Sequence, residues 1–403
     1  MFNLSSFINK YVTKRPESMF LKDINDNRKE LEKSIEGKTV LVIGGAGSIG
    51  SSFIKAILPF KPASLIVVDT NENALAELTR DLRSTKGMYM PCEYITYPMN
   101  FASNTFRKMF ISHGGFNIVG NFSAHKHVRS EKDIYSVEAL IRNNVLEAKG
   151  LLELLSEYPP ENYFCVSTDK AANPVNIMGA SKRIMEDLIF SYSDRFPVKT
   201  ARFANVAFSN GSLPQGFIER INKLQPISAP SDVKRYFVSP EESGQICMLS
   251  CMLGENRAVF FPKLEEESMM TFDNIARHLI KEQGYEVLEC DSDEEAIDKS
   301  EDLRQGSCKY PVHFEISDTS GEKAYEEFFT DTEKVDMERF FALGVITDKE
   351  ICDVNRLSLL LNKLTQCFES ESNISKEDIV KILGEYLPNF SHIETGKSLD
   401  SKM

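Results

Sequence analysis

The chain has no run of 18 apolar residues, no CxxC pair and no excess of basic charge. Each absence closes a class. Without a long apolar run no membrane-spanning helix is expected. The opening MFNLSSFINKYVTKRPESMF interleaves charges with apolar residues, where a secretory signal needs a continuous apolar core. The eight cysteines, at 92, 165, 247, 251, 290, 308, 352 and 367, follow neither a disulfide framework nor a zinc spacing. They read as the reduced, mostly buried thiols of a cytoplasmic protein. Cys247 and Cys251, four apart in QICMLSCML, belong on one buried helix face. Lysine and arginine total 47 against 60 Asp and Glu, a formal charge of −13. Neither nucleic acid nor an anionic membrane is therefore an expected partner. An anionic ligand would have to be held locally, by a helix N-terminus or a few placed cations.

What is present suits a globular protein: 403 residues, 42% hydrophobic and 27% charged, enough for two domains. Residues 1–37 read as a helical extension with the charged run KDINDNRKELEKSIEGK. From residue 38 short apolar strands alternate with longer helices: KTVLVIGG, SLIVVD, CEYITYPM, FNIVGNFSA and NYFCVST are strands, with helical segments between them. Such alternation predicts a doubly wound parallel sheet, a Rossmann-type α/β fold, over 38–210. Beyond about 210 the pattern breaks at SNGSLPQG and KLQPISAPSDVKR, which predicts a smaller interleaved α/β substrate domain over 211–330. The acidic CDSDEEAIDKSED reads as a solvated surface segment. Residues 331–403 read as a polar helical tail.

LVIGGAGSIG places Gly44, Gly47 and Gly50 at three-residue spacing between a strand and a helix. The first permits a tight turn, the second lets backbone approach a pyrophosphate, and the third lets helix pack on strand. Amides around Ser48 and Ile49 at the helix start would face the phosphates. Asp69 ends the next strand, nineteen residues after Gly50, where a carboxylate accepts from ribose hydroxyls and repels a 2′-phosphate. Thr70, Asn71 and Glu72 add no cation, so NAD is the expected cofactor over NADP, with Asn71 beside it and Asn100 near the adenine.

Further motifs follow in order: SAHKHVRSEKD, NNV at 143–145, VSTDKAANPVNIMGASK, RFANVAFSNGS, KRYF at 234–237 and GEKAYEEF at 321–328. With the glycine loop they resemble the extended short-chain dehydrogenase/reductase superfamily, in its polysaccharide-biosynthesis branch of nucleotide-linked N-acetylglucosamine 4,6-dehydratases. The resemblance spans roughly residues 38–330. Met178 stands four residues before Lys182, where the superfamily carries a catalytic tyrosine; this is similar to the configuration-retaining members. Many of those carry N-terminal membrane helices, and this chain resembles a member without them.

The resemblance implies oxidation at sugar carbon 4, loss of water across carbons 5 and 6, and hydride return to carbon 6, with NAD tightly held and regenerated. Asp169 and Lys170 would share the acid–base work, in either order, with Thr168 on the carbon-4 oxygen and Lys182 on the nicotinamide ribose. Lys126, Met178, Asn205 and Ser209 would line the nucleotide sugar, and Arg235 would clamp the diphosphate. Asn144 resembles a structural position, and Glu322 and Lys323 are weaker contacts. Thr319 and Ser320 stand where the branch usually has Arg-Pro. His125 and His127 have HxH spacing, but no third ligand accompanies them and no metal is expected. The carrier, UDP or GDP, stays open, with UDP favoured by the resemblance alone. So do epimerisation and a decayed, merely NAD-binding role as alternatives. The superfamily commonly pairs through the helix carrying the distal lysine, so a homo-oligomer is expected.

Overall fold

The computed structural model describes residues 2–126, 131–317, 326–347, 349–370 and 374–392. Five apolar runs form the first strands of one sheet: β1 (Thr39–Ile43), β2 (Ser64–Asp69), β3 (Glu93–Pro98), β4 (Ile118–Asn121) and β5 (Asn162–Val166). With β6 (Val198–Ala201), they lie in the order β6-β5-β4-β1-β2-β3, all parallel. TVLVI and SLIVVD are nearly continuous branched-apolar runs, as a sheet covered by helices on both faces requires, and β1 is buried along four of its five residues. The order reverses between β1 and β4. That switch point opens the crevice at the strands' C-terminal ends where ligands of such sheets bind.

Three more strands extend this sheet beyond β6. Val259–Pro262 pairs parallel with β6, then Leu343–Thr347 and Lys334–Asp336 add antiparallel. The expected helical tail over 331–403 is corrected here: it begins with two sheet strands and turns helical only at Val354. LGVIT is too short for its period to declare a strand alone; its edge partner supplies the hydrogen bonds. The helix Pro240–Leu253 and the strand Val259–Pro262, inside the span read as substrate domain, also return to the main unit, where their residues join its core.

The smaller unit is a parallel three-stranded sheet, Glu286–Glu289, Lys309–Glu315 and Ile227–Pro230. Helices Leu213–Asn222 and Phe272–Glu282 supply Phe217, Ile275 and Leu279 to its separate core. The N-terminal extension serves both cores: Phe7, Ile8 and Val12 sit in the small one, Phe20, Leu31 and Ile35 in the large one. Among the described residues no helix is long and apolar enough to cross a membrane.

Candidate active site

The glycine loop leaves β1 through Gly44 at φ +71°, a left-handed conformation that disfavours a side chain. A Cβ there would lie 2.6 Å from the Ser123 amide nitrogen, so the turn also needs glycine for close approach to the β4 loop. At Gly50 a Cβ would meet the Gly44 carbonyl at 2.4 Å. The helix Ser48–Ile57 starts without a side-chain cap, at the glycine turn that follows β1. Asp69 ends β2 and accepts from Ala46 N and Asn71 N, both at 3.0 Å, which fixes its carboxylate beside the loop. Ser48 is engaged as well, its hydroxyl accepting from Asn210 N at 2.8 Å. Ile49 is half-buried against the main core.

Asn71 and Asn100 use their side-chain oxygens locally. Asn71 caps the helix Glu72–Ser84 by accepting from Ala74 N, and Asn100 accepts from Ala102 N within its own turn. Their geometry is that of caps and turns.

The end of β5 carries the second half of the crevice. Thr168 initiates a 3₁₀ turn, Asp169–Ala171. Its hydroxyl donates to Asp169 Oδ1 at 2.7 Å, and Lys170 Nζ lies 3.4 Å from the same oxygen. Asp169 is buried, while Lys170 is half-buried. The following helix, Ile177–Phe190, is capped by Asn176, whose side chain accepts from Gly179 N at 2.7 Å. Gly179 is required by contact: a Cβ would sit 2.7 Å from the Lys170 carbonyl oxygen. Lys182 is buried and donates to the Val166 carbonyl at 3.0 Å. Burial lowers its pKa, against the opposing pull of Cys165 and Glu186.

Met178 is buried in the main core, and its amide donates to Glu131 at 2.8 Å; Ile177 N donates to the other Glu131 oxygen at 3.0 Å. Glu131 thus caps the helix that carries Lys182. Glu131 lies within the quoted SAHKHVRSEKD, but its capping role has no local signal, because the helix it caps starts 46 positions away. Asn144 holds the β4 loop, with Oδ1 accepting from His125 N and Nδ2 donating to His125 O. His125 and Lys126 follow on that loop, and burial lowers both pKa values. His127, Thr319, Ser320, Glu322 and Lys323 lie outside the described residues.

On the small-unit side, Asn205 starts β7 (Asn205–Val206), Ser209 is buried just beyond it, and Arg235 is buried in the short strand Lys234–Arg235, which pairs with Met270–Thr271. Arg235 Nη1 donates to the Lys234 carbonyl at 2.8 Å. Glu326, quoted within GEKAYEEF but given no role there, accepts from Asn205 Nδ2 and, at 2.8 Å, from Tyr236 N. Behind the crevice Ser167 donates to Glu186, which pairs with fully buried Arg202; Arg202 also binds Glu333. Burial alone would raise the Glu186 carboxyl, but Arg202, with Arg183 and Lys349, holds it at about 2.

A family model described as "Polysaccharide biosynthesis protein" matches residues 40–347. The chain is 30% identical over 270 residues to a probable polysaccharide biosynthesis protein, EpsC, of Bacillus subtilis, covering 66% of this chain and 44% of EpsC. The chain therefore spans under half of that relative's length. It is 28% identical over 363 residues to an uncharacterized membrane protein, MJ1061, of Methanocaldococcus jannaschii, covering 88% of this chain and 98% of the relative. It is 22% identical over 327 residues to an inverting UDP-N-acetylglucosamine 4,6-dehydratase of Campylobacter jejuni, covering 78% and 89%. Among solved structures, Pen from Bacillus thuringiensis superposes with a TM-score of 0.62 at 19% identity, covering 88% of this chain and 98% of Pen. At that identity the likeness is one of fold.

Proposed function

The chain belongs to the polysaccharide biosynthesis protein family, and on that footing we propose that it is an NAD-dependent nucleotide-sugar 4,6-dehydratase acting on a nucleotide-linked N-acetylglucosamine, UDP-linked in preference to GDP-linked. The observation that carries this reading is the Asp169–Lys170 pair at the C-terminal end of β5, on the crevice side of the switch point, with methionine at 178. An epimerase of this fold needs a base at carbon 4 alone; a dehydratase needs an acid and a base around carbons 5 and 6. The named Campylobacter relative is the inverting type, and the methionine favours the retaining outcome here.

The glycine turn, the open helix start and Asp69 fit a dinucleotide. Bound there, NAD supplies the acceptor for the carbon-4 hydride and its later donation to carbon 6. The chain's residues manage the protons. Thr168 orients the carbon-4 hydroxyl, and Asp169 takes its proton, since Met178 has no site for one. Lys170 removes the carbon-5 proton, made acidic by the neighbouring ketone. Asp169 returns its proton to the departing carbon-6 hydroxyl, which leaves as water. Lys170 then restores the carbon-5 proton as hydride reaches carbon 6. Exchanged roles for Asp169 and Lys170 balance equally well. Lys182 would hold the cofactor ribose, and Asn205, Ser209 and Arg235 the nucleotide sugar.

Incubation with UDP- and GDP-N-acetylglucosamine, followed by mass spectrometry, is expected to give a product lighter by one water. An isomeric product of unchanged mass would indicate epimerisation, and no product with NAD copurifying a binding role. Asp169→Asn and Lys170→Met should each reduce turnover by about 10²–10⁴-fold. Near-native turnover in either removes the assignment.

A further inference from the structure

The turn that bears Asp169 and Lys170 and the helix that bears Lys182 are joined from behind by one guanidinium. Arg202 follows β6 and is fully buried, as is Glu186, one helical turn after Lys182. Nε and Nη2 of Arg202 fork onto the two Glu186 oxygens at 2.9 and 2.8 Å. Nη2 and Nη1 also meet the two Glu333 oxygens at 2.9 and 2.8 Å, and Nη1 donates to the Phe328 carbonyl at 2.9 Å. All five N–H donors of the side chain are thereby used. We propose that Arg202 is a positioning residue, which acts through Glu186 and Phe328 to set the spacing between the Asp169–Lys170 turn and Lys182. This inference rests on the function proposed above.

The turn is held at both ends. Ahead of it, Ser167 donates to Glu186 Oε1 at 2.7 Å, the oxygen that also accepts from Arg202 Nε. Beyond it, Asn173 donates to Glu327 at 3.1 Å, and the next residue is Phe328, whose carbonyl Arg202 holds. The backbone on either side of Arg202 pairs with the same stretch. The Ala201 carbonyl accepts from Ser167 N at 2.9 Å, and the Phe203 carbonyl from Asp169 N at 3.3 Å. On the helix side, Lys182 Nζ donates at 3.0 Å to the carbonyl of Val166, the residue before Ser167. A buried ion pair adds little net stability, since desolvating both charges offsets their attraction. What a planar fork fixes is one spacing and one orientation between the elements it joins. An ammonium in its place keeps the charge and loses that geometry.

Arg202→Lys separates geometry from charge, because Glu186 and Glu333 keep a cation between them. Measured where circular dichroism shows both proteins folded, kcat should fall by about 10²-fold, with KM within about threefold of wild type. Wild-type kcat in the folded variant, or a loss confined to KM, overturns the proposal. Should Arg202→Lys not fold, Ser167→Ala decides, since it leaves the Arg202–Glu186 fork in place and cuts its link to the turn. Its kcat should fall by about tenfold, and an unchanged kcat overturns the proposal. Hydrogen exchange gives a readout that needs no turnover. In either variant the amides of 167–176 should exchange at least about tenfold faster than in wild type, while those of the helix Phe272–Glu282, in the small core, stay unchanged. Unchanged exchange at 167–176 overturns the role given to Arg202, and so does faster exchange throughout the chain, which is general loosening. If the wild type forms no product from any nucleotide sugar, the functional reading fails by itself, and the exchange comparison then decides alone.

Discussion

At the scale of single residues, two helical glycines show where close backbone approach constrains the site. Gly179 and Gly150 are both helical glycines, yet a Cβ at 179 would press on the Lys170 carbonyl at 2.7 Å, while one at 150 would meet nothing within 4 Å. Gly150→Ala should therefore stabilise the chain by up to about 1 kcal/mol, because alanine is the better helix former. Gly179→Ala must shift the turn that presents Asp169 and Lys170. Displacements of that kind cost about 10²-fold in rate. We expect Gly179→Ala to lower kcat by that order, with circular dichroism unchanged; wild-type kcat would show that the turn tolerates the shift. Gly179 was quoted within a motif, but its reason lies in a carbonyl nine residues earlier in the chain.

At the scale of elements, the helix Ile177–Phe190 is the pivot. Every residue in it except Arg183 is buried. Part of that cover is the C-terminal hairpin, Val354–Glu369 and Lys376–Tyr386. Tyr386 donates to Asp187 Oδ2 at 3.2 Å, and Arg142, one helix away, donates to the Phe368 carbonyl at 3.0 Å. His392, past the hairpin, reaches within 3.7 Å of Glu131 at the helix start. The helix that resemblance assigned to subunit pairing is thus packed against its own chain. Leu357, Leu360, Leu361, Leu364, Ile379 and Leu383 are buried in the main core from the hairpin. At about 1.5–3 kcal/mol for each buried side chain, they rival the whole stability of a domain. Ending the chain at 350 should therefore yield a protein that aggregates or melts far lower, read by size-exclusion chromatography and a thermal scan. A monodisperse truncation with unchanged melting would contradict that weight.

At the scale of the whole molecule, the N-terminal extension is a strap between the two cores. Phe7 meets Phe208 edge-on with ring centroids 5.8 Å apart, in the small core. Arg15 then forks onto Glu242, at 2.8 and 2.7 Å, and donates to the Phe237 carbonyl. Asp23 accepts from Phe341 N and Ala342 N beside the strand Leu343–Thr347. Glu242 is buried and also caps its own helix. Arg15→Ala strips the carboxylate of its cation and should cost about 1–3 kcal/mol in chemical denaturation. Arg15→Lys should recover part of this, since an ammonium restores charge without the fork. A cost near zero would make the strap incidental.

The glycine loop, Asp69 and the strand–helix alternation through β6 were legible because they are local: backbone freedom, charge and hydrophobic period act within a few residues of chain. The position of Asp169 and Lys170 was legible too, as adjacent residues at a strand end. The roles of Glu131 and Glu326, both inside quoted motifs, were not. Each reaches its partners across dozens of residues, and a glutamate in a polar loop looks the same whether solvated or buried. The strands at 334–336 and 343–347, and the hairpin lying against the Ile177–Phe190 helix, were hidden for the same reason. Short segments take their form from the partner surface that buries them, and only the folded chain brings that surface to them.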